Sequence, residues 1–201
     1  MPPNAAIPDV RQHILDVARP LLLRKGFTGV GLAEVLGAAR VPKGSFYHYF
    51  GSKEAFGEAV LEAYFAEYLA RMDALLAEPG SAAGRLVAYF EDWLQSQTGD
   101  DAQSRCFVVK LGAEVCDLSE SMRTALERGT GGIVQRLARC IEAGGADGSL
   151  PAMADAQAVA ATLYQTWLGA SLLAKIARDR KALDTAMADT RQVLGLGTPK
   201  A

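Results

Sequence analysis

Apolar positions along this chain recur mostly at spacings of three and four, the beat that lays a stripe along one face of an α-helix. Val10, Ile14, Val17, Ala18, Leu21 and Leu22 carry it first. Asp9 stands where a carboxylate caps the first turn, and Gly26 stands where a helix stops. Pro20 interrupts this stretch. It has no N–H for the carbonyl of Asp16 and its ring crowds that carbonyl, so a kink or a helix in two pieces is expected. A second, short helix is predicted from about Leu32 to Ala39, with Leu32, Val35 and Leu36 inward and Gly31 at its cap. After a turn at Arg40-Val41 a third begins at Pro42. From Glu54 to about Ala77 the beat runs through Phe56, Val60, Leu61, Tyr64, Phe65, Tyr68, Met72 and Leu75, and Pro79-Gly80-Ser81 ends it. Further helices are predicted at about 82–97, 104–116, 119–144, 152–179 and 181–195. No run alternates with period two, so the expected fold is all-α, with about nine helices. Residues 1–8 are rich in Pro and Ala and are expected to fray.

The third of these stretches is chemically unusual. Val41-Pro42-Lys43-Gly44-Ser45-Phe46-Tyr47-His48-Tyr49-Phe50 packs four aromatic rings into five residues with a histidine among them. Pro42 fits the first turn of a helix, and Lys43 and Gly44 put a cation and bare backbone where an anion would dock. Phe46 and Phe50, four apart, share one buried face, which turns Tyr47, His48 and Tyr49 outward. Two readings fit these residues alone: a nucleic-acid-reading helix, or a surface helix anchored by two phenylalanines.

Charge adds to the first reading. Residues 1–53 carry a balance of +4 and residues 54–201 one of −6, within a net charge of −2. A basic module on an acidic body suits a protein that touches phosphate at one end only. The expected domains are therefore residues 1–53 and residues 54–201. Half of the 201 residues are hydrophobic, ample for a core, yet no apolar run approaches the roughly 18–20 residues that cross a bilayer. The N-terminus has no basic segment followed by an apolar run, so a cytoplasmic protein is expected. No Gly-rich phosphate loop and no metal-ligand spacing occurs, and no cofactor is implied. Cys106, Cys116 and Cys140 form no CxxC, and neither His13 nor His48 lies near them, so a zinc site is not expected.

Two residues of the body stand out. Asp100, Asp101 or Ser104 can cap a helix that starts just before Cys106, placing that thiol at a positive helix end with Arg105 and Lys110 close in sequence. Each of these lowers a cysteine pKa. The plainer reading of Cys106 is a small buried hydrophobe, as Cys116 and Cys140 are read. Lys175 falls on an otherwise apolar helix face with Trp167, Leu168, Ser171, Leu172 and Ile176. A lysine there either meets an anion, for which a thiolate would serve, or snorkels to solvent.

The 42–56 stretch resembles the helix-turn-helix signature of the TetR family of bacterial repressors: Lys43, Gly44, Phe46, Tyr47, Tyr49 and Phe50, then Lys53, Glu54 and Phe56, with Gly26-Phe27-Thr28 upstream. The resemblance implies a three-helix DNA-binding module on a larger helical domain that senses an effector and dimerises through its last two long helices. It implies a palindromic double-stranded DNA operator as partner. Lys43, Tyr47, His48, Tyr49 and Lys53 fall on contacting positions; Lys43, Tyr49 and Lys53 are assigned to phosphate, and Ser45, Tyr47 and His48 to base edges. The family carries Thr or Ser where this chain has Gly31, and Thr28 is the hydroxyl that stands in. The linking helix is implied to swing and so change the spacing of two recognition helices. Beyond the module, the setting Cys106-Phe107-Val108-Val109-Lys110-Leu111 and the Trp167–Lys175 run resemble the subgroup that responds to N-ethylmaleimide and other electrophiles or oxidants and regulates detoxification genes. That makes Cys106 the expected sensor, Lys175 its expected companion, and a small electrophile or oxidant the expected effector. Two other readings stay open: a non-covalent apolar ligand held by Trp93, Phe107, Tyr164 and Trp167, and an enzyme with Cys106 as nucleophile, for which no base is near in sequence.

Overall fold

The computed structural model describes residues 9–98 and 106–197. Among them the chain is all helical, in the order α1 (Val10–Lys25), α2 (Leu32–Ala39), α3 (Lys43–Phe50), α4 (Lys53–Leu76), α5 (Ala82–Thr98), α6 (Phe107–Leu118), α7 (Glu120–Asp147), α8 (Ala156–Ala177) and α9 (Lys181–Val193). Asp9 caps α1 as its position suggested, accepting from the amides of Arg11 at 3.0 Å and Gln12 at 3.4 Å. Pro20 does not divide that helix. Buried Ile14, Leu15 and Ala18 before it, and Leu21 and Leu22 after it, press both halves onto one core. Pro42 stands at the cap of α3 with extended backbone (ψ 153°), one residue outside the first turn.

α1, α2 and α3 close over an aromatic knot. Phe46 lies 5.1 Å from Phe50 and 5.2 Å from Phe56, ring centre to ring centre, so the start of α4 anchors α3. His13 of α1 reaches the Ala39 carbonyl at the end of α2 at 3.0 Å. α4 then runs from this module into the body, where it packs chiefly on α7. The two come close because α7 carries Gly129: the Phe65 ring fills the place a Cβ would take there.

α7 also packs against α5, α6 and α8. The body core is aromatic, and its buried indoles are satisfied by hydroxyls, as buried tryptophans require. Trp93 Nε1 donates to Ser171 Oγ at 3.0 Å, and Trp167 Nε1 donates to Thr190 Oγ1 at 2.9 Å. Ser171, which the sequence placed on the face that carries Lys175, is the partner of an indole. α6 and α8 start later than the pattern suggested. Cys106 itself holds the cap position of α6, and Asp155 caps α8 by accepting from Ala158 N at 2.9 Å. The expected caps Asp100, Asp101 and Ser104, and Arg105 beside them, lie outside the described residues. Among the described residues no helix is long and apolar enough to cross a membrane.

Candidate DNA-reading face and thiol cavity

α3 presents a two-faced surface. Phe46 and Phe50 are buried, whereas Tyr47 is 48% and Tyr49 38% exposed, with Lys43 and His48 also outside. The exposed rings support one another: His48 meets Tyr49 edge-on at 4.9 Å, and Lys43 Nζ sits 5.8 Å from the Tyr47 ring centre. The result is a pre-formed polar-aromatic ridge. Ser45 and Lys53 are half-buried, and Lys53 Nζ lies 5.0 Å over the Phe27 ring.

Thr28, expected to stand in with its hydroxyl for the one missing at Gly31, is engaged elsewhere. Its hydroxyl and its amide, the latter at 2.6 Å, both donate to Glu114 Oε1, and the Phe27 amide donates to Oε2 at 3.0 Å. A carboxylate already occupies the donors a phosphate would need. Nothing in the sequence marked Glu114, because its three partners lie 86 or 87 positions away.

Glu114 belongs to a stripe along α6. Phe107, Lys110 and Glu114 are spaced to share one helix face. Phe107 stacks on Tyr64 at 4.8 Å, and the Arg19 guanidinium of α1 covers that pair, 5.4 Å from the Tyr64 ring and 6.0 Å from the Phe107 ring. Lys110 Nζ donates to the Arg24 carbonyl at 3.3 Å. Gly26 fits the close approach: its φ is 81°, and a Cβ there would lie 2.9 Å from Glu114 Oε2. Burial pushes the Glu114 carboxyl up, but the Thr28 hydroxyl, the amides of Thr28 and Phe27 and the Lys110 charge outweigh it and leave it below the ordinary range. One face of α6 thus holds both α1 and the turn that leads to α2.

Cys106, at the head of this helix, opens onto a cavity of about 790 Å³. Arg24, Thr98, Lys110, Lys175 and Arg178 also line it, so the fold brings Cys106 and Lys175 to one chamber from helices far apart in sequence. The expected drop in the thiol pKa is not what results. Burial raises it, and the opposing pull of the Val109 and Val108 amides and the Tyr64 phenol is too weak to reverse that. The helix end acts in the foreseen direction, but loss of solvent dominates. Lys175 is exposed rather than sunk in an apolar face. Cys140 is buried, its S–H 3.6 Å from the Ala82 carbonyl, while Cys116, read as buried, is exposed on α6.

The four aromatics assigned to a ligand pocket line neither this cavity nor the groove between α6 and α7. They fill space rather than border it. Trp167 stacks on Phe90 at 5.0 Å, Trp93 meets Tyr164 at 5.7 Å, Phe107 stacks on Tyr64, and all four are at most 5% exposed.

A helix-turn-helix module on an all-helical body, with a cavity between them, defines the class of DNA-binding transcriptional regulators, and comparison supplies the family. The description "Bacterial regulatory proteins, tetR family" matches residues 14–60, and "Tetracyclin repressor-like, C-terminal domain" matches residues 82–190. The chain belongs to the TetR family. It is 43% identical over 187 residues to the HTH-type transcriptional repressor NemR of Escherichia coli K12, covering 92% of this chain and 94% of NemR. The crystal structure of E. coli NemR in its reduced form superposes with a TM-score of 0.88 over 96% of this chain and 100% of that one. The HTH-type transcriptional repressor DhaR of Mycobacterium sp. GP1 is 33% identical over 87% of each protein.

Proposed function

We propose that the protein is a homodimeric repressor that grips a palindromic operator with two copies of α3 and lets go when a small electrophile or oxidant modifies Cys106, so controlling detoxification genes. One observation carries this reading: Cys106 heads the helix whose side chains hold the DNA module. That E. coli NemR has been solved in a reduced form accords with thiol chemistry in that relative.

The chemistry is simple. The Cys106 thiolate adds to an electron-poor C=C such as that of a maleimide: an S–C bond forms, the π bond breaks, and the adjacent carbon takes up the proton the thiol lost. With a hydroperoxide as oxidant, the thiol becomes a sulfenic acid while the peroxide O–O bond breaks to give an alcohol. The Lys175 amine then condenses with the sulfenic acid, forming an S–N bond and releasing water. Either product adds bulk or a tether at the cap of α6. Phe107, Lys110 and Glu114 ride on that helix, so a shift at its head acts on Arg19, the Arg24 carbonyl and the Phe27-Thr28 turn together.

In the DNA-bound state Lys43, Tyr49 and Lys53 serve phosphate, and Ser45, Tyr47 and His48 serve base edges. Thr28 stays bonded to Glu114 in that state and is not one of the DNA contacts. The homodimer forms through α8 and α9, where Leu172 (47%), Leu173 (57%), Ile176 (69%) and Val193 (42%) are exposed. That face sets two α3 helices on half-sites about 34–36 Å apart.

A second reading keeps the repressor and makes the effector a non-covalent ligand. The cavity supports it, since about 790 Å³ falls within the ~300–1,000 Å³ of small-molecule sites. An enzymatic role for Cys106 has no histidine to draw on: His13 is held by Ala39 and His48 lies on α3. Fluorescence anisotropy on DNA upstream of the protein's own gene, before and after one equivalent of N-ethylmaleimide, separates the first two readings. Wild type releases DNA and Cys106→Ser holds it if the thiol is the switch. If both hold the DNA, the cysteine is structural and the reversible ligand takes over.

A further inference from the structure

The cavity wall is charged against the trend of the body around it. Residues 54–201 carry a balance of −6, yet the charged side chains on the wall, among the described residues, are Arg24, Lys110, Lys175, Arg178 and Arg180 against Asp179 alone. Two of these are partnered: Arg180 grips Asp184 at 2.8 Å, and Asp179 faces Lys181 at 3.7 Å. Leaving them aside, and leaving Lys175 aside as well, Arg24 and Arg178 remain, together with Lys110, whose charge is shared between the wall and Glu114. They come from α1, α6 and the end of α8, so the fold converges them; no run of sequence does. Lys110 is fixed at the wall by its 3.3 Å bond to the Arg24 carbonyl. Arg178 closes α8 with φ 55°, a left-handed position where an arginine bears a cost that glycine would not.

The groove at Cys116, on the same helix, is the contrast. Its charged walls are Arg123 and Glu127, bonded to each other at 2.9 Å, which leaves it balanced.

We propose that the Cys106 cavity selects small electrophiles that carry a carboxylate or sulfonate ahead of cationic ones of equal intrinsic reactivity, with Arg24, Lys110 and Arg178 as the selecting residues. The proposal rests on the reading of Cys106 as the reacting group. A cleft lined by one sign of charge concentrates opposite charges, raising encounter by about tenfold or more and losing that advantage in salt. The effector class this implies is an activated alkene or quinone bearing an acid group.

Two methanethiosulfonate reagents test it on the intact protein: one ending in a sulfonate, the other in a trimethylammonium. In both, the thiolate attacks the sulfenyl sulfur, a disulfide forms and methanesulfinate leaves. Mass spectrometry after digestion gives the rate at Cys106 and at Cys116 in the same molecules, and dividing one by the other removes intrinsic reactivity. The expected ratio is about tenfold higher for the sulfonate reagent in low salt, and the preference shrinks in high salt. In Arg24→Gln/Lys110→Gln/Arg178→Gln it disappears while Cys116 is unaffected. Equal ratios, a cationic preference, or a preference indifferent to salt in the wild type overturns the selection and leaves Cys106 as the reacting group. Failure of both reagents at Cys106 while Cys116 reacts overturns the reading of Cys106 itself, and this proposal with it.

Discussion

The recognition helix keeps its chemistry within eight consecutive residues, Lys43–Phe50, whereas the thiol cavity borrows from α1, α5, α6, α8 and the turn into α9. On α3, buried rings and exposed polar side chains sit on opposite faces of one short helix. Phe46 and Phe50 hold it, and Tyr47, His48 and Tyr49 remain for a partner. In the cavity no element suffices. Cys106 comes with a helix cap, Lys175 with the last turn of α8, and the cations with three separate elements. A local site can be retuned one side chain at a time. A distributed site responds to the movement of any element that borders it.

The sharpest break in that comparison is within α3. Phe46→Ala, at a fully buried position, should cost about 3–5 kcal/mol and unfold the DNA module, read by thermal melting and by loss of all DNA binding. Tyr47→Ala, one residue on and half exposed, should leave stability within about 0.5 kcal/mol while operator affinity falls roughly tenfold.

Next in size is the apolar face of α8 and α9 proposed for dimerisation. Ile176→Glu, at a position 69% exposed in the single chain, should yield a monomer in sedimentation experiments. A monomer reaches one half-site only, so operator binding should fall by roughly 100-fold or more.

Glu114→Ala probes the link between the two regions. The variant should fold and bind operator. Modification of Cys106 should then weaken binding less than about fivefold, against roughly 10–100-fold in the wild type, because the grip on the Phe27-Thr28 turn is gone. Anisotropy titrations of modified and unmodified protein measure it.

The smallest effect is in pH. Burial raises the Cys106 pKa, so its thiolate fraction at neutral pH is below that of a free thiol and grows as pH rises. Maleimide addition at Cys106 should climb with pH to a midpoint above that of a free cysteine in solution. A midpoint below it would mean the helix end prevails over burial.

The same contrast decides what the sequence conveyed. α3 was legible because its pattern is local: two phenylalanines four apart fix the orientation, and everything else follows around the helix. Helix positions were legible from the apolar beat, and Asp9 from its capping place. Cys106 stood out by its helix end and Lys175 by its apolar face, the family resemblance gave them their expected roles, and the structure places both on one cavity. Their neighbours Arg24 and Arg178 were not found, because convergence from distant helices leaves no mark on spacing. The pocket assigned to Trp93, Phe107, Tyr164 and Trp167 lies elsewhere because large rings in a helical core pack on each other. Space remained where charged ends of helices meet. The Cys106 pKa went the other way for a similar reason: a capping position can be read from sequence, and the depth of burial cannot. Glu114 looks like one more acid on a helix until Gly26, Phe27 and Thr28 are folded beneath it.

If α6 carries a change at Cys106 to the DNA module, the turn that Glu114 grips must loosen when the thiol is modified. Hydrogen exchange of the peptide spanning residues 23–32, before and after one equivalent of N-ethylmaleimide, reads it directly. The Phe27 and Thr28 amides are bonded to Glu114 in the unmodified protein, so the account predicts that both lose protection on modification and that Cys106→Ser shows no change. Unaltered protection in a modified protein that has nonetheless released its operator would contradict it.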